Sequence, residues 1–184
     1  MRRVANVAWW LGLSVYFGGM LTVGVIVAPS VFHTVRQTGA TLPGMPERLD
    51  AHSQLGGEIF GDVLDRSGVL EWVAIGFMLV GLAARLNLRG WFGRLTLGLV
   101  VLIGAIKLNE QLVVFPAVWR TRAALRAATM PLGQFAKDFA VYHSMATLLG
   151  QTKLVILLVL VLMSAWTSVD LRSTAKREGG ETHG

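Results

Sequence analysis

This chain predicts an all-α membrane protein: an antiparallel bundle of four transmembrane helices, with short interfacial helices in the outer loops. Three observations carry that expectation. Four apolar stretches take up roughly half of the 184 residues, each near the length a bilayer demands. A hydrocarbon core of ~30 Å needs ~20 apolar residues, because a helix advances ~1.5 Å per residue. Charged residues make up 15% of the chain, against ~25% in soluble domains. The alternating pattern of a membrane β-barrel is absent, and an isolated strand cannot satisfy its backbone in lipid.

The first span runs from about Ala8 to Ala28 and stops before Pro29, inside a charge-free stretch from Val4 to Phe32. Arg2 and Arg3 precede it, as in a secretory leader. The uncharged run far exceeds the ~7–15 residues of a leader core, so a retained helix is expected. The second span runs from about Gly68 to Ala84, with Glu71 near its start and Arg85 closing it. The third runs from about Phe92 to Phe115 and stops at Pro116, since proline breaks the helical hydrogen-bond ladder. The fourth runs from about Met145 to Val169, with Lys153 its only charge. Together they form one domain over residues 1–172. The polar tail, Ser173 to Gly184, reads as disordered.

Basic residues near the span ends set the orientation. The short link between spans two and three holds Arg85, Arg89 and Arg94 without an acid, a cytoplasmic signature. With four crossings, both termini fall on that side, which then carries eight basic residues against seven opposite. The density in the short link decides the orientation. A bacterial inner membrane with both termini cytoplasmic is the expected setting.

The two outer segments have opposite character. Residues 30–67 carry five acids (Glu47, Asp50, Glu58, Asp62, Asp65), whereas residues 117–144 carry Arg120, Arg122, Arg126 and Lys137 against Asp138. They can dock on each other or stand apart as solvated loops. Leu55, Ile59, Phe60, Val63 and Leu64 share one helical face, which predicts a short surface helix weakened at Gly56-Gly57. A second, basic one is expected from Trp119 to Thr129, ended by Pro131.

The chain has no cysteine, which excludes disulfides, thiolate metal sites, iron–sulfur clusters and covalently attached c-type haem. The net charge of +6 is best explained by topology and lipid headgroups, because the basic residues flank apolar spans. Membrane lipids are therefore the expected partners, and no nucleic acid. In lipid, helices pack where small residues let backbones approach. Ser14, Gly18 and Thr22 form such a stripe on span one, which predicts that this face meets the other helices.

Ionisable residues inside the spans are the sharper feature. Lys107, Glu110 and Gln111 stand at i, i+3 and i+4 and so share a face of span three. Lys107 lies nine residues before Pro116, ~13 Å along the helix. Lys153 lies a similar depth along span four and Glu71 just inside the outer end of span two, so in an antiparallel bundle the four charges fall in the outer half of the membrane and sum to zero. An unpaired charge at mid-bilayer costs about 2.5–3.5 kcal/mol. Pairing is expected, most simply Lys107 with Glu110 and Lys153 with Glu71 or Glu110. The set is either structural or a proton relay or polar pocket.

The histidines offer weaker material. His33 lies just beyond span one, His52 in the first outer segment and His143 at the mouth of span four. Bis-histidine b-type haem needs ligands facing each other inside a bundle, and none of these lies within an apolar span. No metal-ligand spacing, catalytic triad or phosphate loop is present.

Tyr16-Phe17-Gly18-Gly19, followed by Ala28-Pro29-Ser30-Val31-Phe32, resembles the first helix of the transmembrane-protein-205-like family of small four-helix membrane proteins. Gly56-Gly57-Glu58-Ile59-Phe60-Gly61, Asn109 before Pro116, and Phe139 with His143 look similar to its later landmarks. The long acidic first segment and Lys107 depart from that pattern. The resemblance implies membrane residence and four helices. The expected role is non-enzymatic: a small transport or permeability factor, or an accessory subunit bound to other membrane subunits or to a second copy. The alternative is a membrane-bound b-haem oxidoreductase resembling four-helix protoporphyrinogen oxidases.

Overall fold

A computed structural model describes residues 2–40, 51–85, 90–127 and 131–180. Among these residues there is no strand. Helix α1 (Arg2–Leu21) passes through a π-helical turn at Thr22–Val27 into α2 (Ala28–Thr38). Helix α3 spans Ala51–Arg85 without interruption. Helix α4 (Trp91–Asn109) passes through a second π-helical turn at Glu110–Val114 into α5 (Phe115–Arg126). Helix α6 spans Leu132–Gly180. The four rods that result among the described residues are each long and apolar enough to cross a membrane.

The rods are longer than the apolar stretches that announce them. Pro29 and Pro116 do not end helices. Each follows a widened turn, in which Ala28 N–H reaches back to Val23 O and Phe115 N–H to Glu110 O. A proline lacks the donor for the ordinary bond and its ring crowds the carbonyl four residues back. The extra residue in the preceding turn takes up that mismatch, and the helix goes on. Helix α2 stops instead at Gly39, whose φ of 66° is the left-handed cap that glycine adopts without strain.

The expected surface helices are likewise continuous with the spans. Residues 55–64 belong to the same rod as residues 68–84, and α5 extends α4. Gly56-Gly57 does not break α3, because neighbours fill the space beside both glycines. A methyl group at Gly56 would stand 2.7 Å from the Phe32 ring, and one at Gly57 2.5 Å from Arg122 Nη2. Thr129, the expected end of the basic helix, lies outside the described residues, and α5 already ends at Arg126. Helix α6 runs to Gly180, through strong helix formers such as Ala175, Lys176 and Arg177.

Cross-helix contacts fall at three levels. At the first, Trp9 lies against Gly81, Gly12 against Ala74 and Met78, and the Trp9 indole donates to Ser164 Oγ at 2.9 Å. Leu13, Ile103, Leu157 and Leu160 fill the space between, each without solvent exposure. At the second level stand Tyr16, Glu71, Lys107, Glu110 and Lys153. At the third, Phe32 meets Phe60 and Trp119 meets Gly61. Arg122 lies over Phe139, and Arg126 pairs with Glu58 at 2.9 Å. Among the described residues, the acidic and basic outer segments thus do dock, through the Glu58–Arg126 ion pair and the seating of Trp119 on Gly61 and Arg122 on Gly57.

Only 17% to 33% of each apolar span is buried inside the bundle. Val25, Leu70, Val80, Leu112, Val155, Leu162 and Trp166 are each more than half exposed. A water-soluble monomer does not carry such continuous apolar faces, whereas lipid covers them at no penalty.

The packing stripe of α1 is not where the small residues suggested. Ser14, Gly18 and Thr22 are exposed, and nothing lies within 4 Å of a methyl group placed at Gly18. The inward face is Ala5, Ala8, Trp9, Gly12, Leu13 and Tyr16. Backbone approach is set by Gly12 on α1 and Gly81 on α3, where added methyl groups would stand 2.6 Å from Ala74 O and from Trp9 N. The large apolar and aromatic side chains beside Gly12 chose the buried face, and the more polar stripe turned out.

Candidate functional site: a buried charge cluster

The cluster is built by all four rods. Helix α1 supplies Tyr16, α3 supplies Glu71, α4 and its π turn supply Lys107 and Glu110, and α6 supplies Lys153. Lys153 is the hub. Its Nζ donates to Glu110 Oε2 at 2.5 Å and to Glu71 Oε2 at 3.1 Å. The same Glu71 oxygen accepts from Tyr16 OH at 3.0 Å and faces Lys107 Nζ at 3.4 Å. Side-chain exposure is 3% for Lys107, 4% for Lys153 and Glu110, and 13% for Glu71. Charges alternate from Lys107 to Glu71, Lys153 and Glu110, so every cation faces a carboxylate and the set is neutral.

One expected pairing is realised and one is not. Lys153 does join Glu71 and Glu110. Lys107 pairs with Glu71 on another helix, and no Lys107–Glu110 ion pair occurs among the described residues. Lys153 reaches Glu110 from across the bundle and holds it, so Lys107 turns to Glu71. Gln111 does not join the buried set. It lies on the exposed flank of its helix, where its Oε1 accepts from Trp72 Nε1 at 2.7 Å.

Space for Lys107 comes from a glycine line on α3. A methyl group at Gly68 would stand 3.0 Å from Lys107 Nζ. One at Gly61 would stand 2.7 Å from the Trp119 ring, and one at Gly57 2.5 Å from Arg122. These glycines are four and seven residues apart, so they share one helical face. Their spacing is a sequence signal for this face, and the phenol of Tyr16 within the uncharged first span is a signal for the cluster. Beside Lys107 is a recess of about 60 Å³, lined by Leu64, Asp65, Gly68, Val69, Trp72, Lys107, Gln111 and Phe115. The Lys107 ammonium also lies 5.8 Å from the centre of the Phe115 ring.

The histidines have three separate settings. His33 is exposed on α2, His52 Nδ1 lies 2.7 Å from Ala40 O, and His143 is exposed and stacked on Phe139 at 5.6 Å. Among the described residues, no group of three or more His, Asp or Glu side chains is placed to hold a metal ion.

Comparison with protein-family models, with curated proteins and with solved structures finds no match for this chain.

Proposed function

We propose that this chain is a small membrane transport or permeability factor, working alone or as an accessory subunit of a larger membrane complex. Its working site is the Tyr16–Glu71–Lys107–Glu110–Lys153 cluster, acting as a proton relay. The observation that carries this reading is the convergence of two lysines and two glutamates, one or more from each of three rods, on one buried point joined by the Tyr16 hydroxyl of the fourth. Placing each charge in the bilayer costs about 2.5–3.5 kcal/mol on insertion scales. Replacing buried ion pairs by apolar residues is often neutral or stabilising. A bundle that needed only cohesion would be served by leucine, so the retained charges point to transfer of charge. A hydrogen-bonded row of groups that gain and lose protons is the arrangement such transfer needs.

The rods alternate in direction as an antiparallel bundle. This is supported by the rising order of Trp9, Tyr16 and Phe32 along α1 and α2 against the falling order of Gly81, Glu71 and Gly56 along α3. With Arg85 and Arg89 in the link to α4, the termini lie in the cytoplasm of a bacterial cell, and the docked Glu58–Arg126 end lies outside. Kinship with the transmembrane-protein-205-like family belongs to the same reading. Its support is that the landmark glycines 56, 57 and 61 each receive a side chain from another rod or segment.

The test is proton flux in proteoliposomes carrying an internal pH dye. Glu110→Gln keeps the shape of the side chain and removes its charge. It is expected to abolish flux while leaving the protein folded in detergent. Flux equal to that of the parent rejects the relay.

A further inference from the structure

The cluster differs between its two ends. Toward Trp9 and Ser164, it abuts Leu13, Ile103, Leu157 and Leu160, which are fully buried and apolar. Among the described residues, the next buried polar side chain on that side is Ser164, which accepts from Trp9. On the other side, Lys107 borders the recess beneath Gly68, and Asp65 stands at its rim. Water enters a cavity that is roomy enough and offers polar partners, and a few molecules fit in this volume. Lys107 Nζ, Asp65 and Gln111 are the partners on hand. Gly68 keeps the route open, because a methyl group there would close on the lysine ammonium at 3.0 Å.

We infer that the recess between α3 and α4 is a one-sided inlet that brings water, and the protons it carries, to Lys107 from the Asp65 end, while the apolar layer beyond Lys153 seals the opposite side. Its ligand is water and hydronium. The inference rests on the relay reading for its purpose and on geometry for its location. The groups that face the inlet and the cluster are Asp65 and Glu71 of α3, Lys107 and Glu110 of α4 and its π turn, Tyr16 of α1 and Lys153 of α6.

The absence of native cysteine makes the test direct. Two pairs of neighbours differ in whether they line the recess: Val69 and Gln111 do, whereas Leu70 and Leu112 face outward from the same turns. Single cysteines are placed at these four positions in the full-length protein. They are labelled in oriented vesicles with a charged, membrane-impermeant methanethiosulfonate. Only a hydrated thiol ionises and reacts, so Val69→Cys and Gln111→Cys are expected to react at least about tenfold faster than Leu70→Cys and Leu112→Cys. They should do so from one face only, and Leu157→Cys should resist from both. All four paired positions are exposed, so none of these variants loses core packing. Equal rates within each pair overturn the inlet, and so does labelling from both faces. Fast labelling without proton flux keeps the inlet and removes the relay. Flux sensitive to Glu110→Gln without labelling does the reverse.

Discussion

The two halves of this bundle solve the packing problem in opposite ways. Around Trp9, Gly12 and Gly81, backbones touch, and the contact has no charge in it. Around Lys153 and beyond, long side chains cross the gap: Glu71, Lys107 and Glu110 in the middle, then Trp119 and Arg122 against the glycine line of α3. Glycine serves both halves but does different jobs. In the first it admits a neighbouring backbone. In the second it admits the tip of a flexible side chain. Backbone contact is thereby concentrated at the Trp9 end, and side-chain chemistry at the other.

Breaking the centre of the charged half should have the largest effect. Lys153→Met leaves Glu71 and Glu110 without their shared cation, and removing one partner of a buried pair costs about 3–5 kcal/mol. The expected outcome is a large loss of melting temperature in detergent. It should be partly recovered in the double variant Lys153→Met with Glu110→Gln, which removes one stranded carboxylate. A melting temperature like the parent's would place the cation elsewhere.

The apolar half comes next. Gly81→Ala forces a methyl group against Trp9 backbone atoms at 2.6 to 2.7 Å. Overpacking of this kind costs about 1–3 kcal/mol. Gly18→Ala meets nothing within 4 Å and should be neutral or stabilise by some tenths of a kcal/mol, as alanine favours helix over glycine. Thermal unfolding of the two variants side by side decides which stripe of α1 packs. Gly61→Ala should fall between them, at about 1 kcal/mol, since the far edge of the Trp119 indole can move aside.

The smallest effect belongs to the docked outer segments. Glu58 and Arg126 keep 24% and 49% of their side-chain surface exposed. Glu58→Gln should cost about 0.2–1 kcal/mol, fading as salt rises. A loss several times larger, insensitive to salt, would mean that this pair is sealed from water.

Much of this molecule is visible in its primary sequence, for reasons that differ by residue. Spans are legible because a charge-free run such as Val4 to Phe32 has few other uses. Glu71, Lys107, Glu110 and Lys153 are legible because an ionisable group amid apolar neighbours is conspicuous. Helix ends are not. Pro29 and Pro116 signal termination locally, and only the preceding wide turns, which leave no compositional mark, let the rods continue. The packing face of α1 is not legible, because small size alone does not distinguish a contact from a vacancy. Gly12 and Gly18 look alike until their neighbours are in place. Which lysine answers which glutamate depends on the rotation of each rod, and spacing within one helix cannot supply that. Tyr16 joined the site unseen for the same reason.

The hub of the cluster has a consequence for biogenesis. Lys153 lies on the last rod, so it is synthesised after Glu71, Lys107 and Glu110. Until it emerges, the inserted portion holds two carboxylates and a single ammonium within its apolar spans. The nascent polypeptide therefore carries one uncompensated negative charge among these groups until Lys153 is made, and its arrival joins α6 to the carboxylates of α3 and the second π-helical turn.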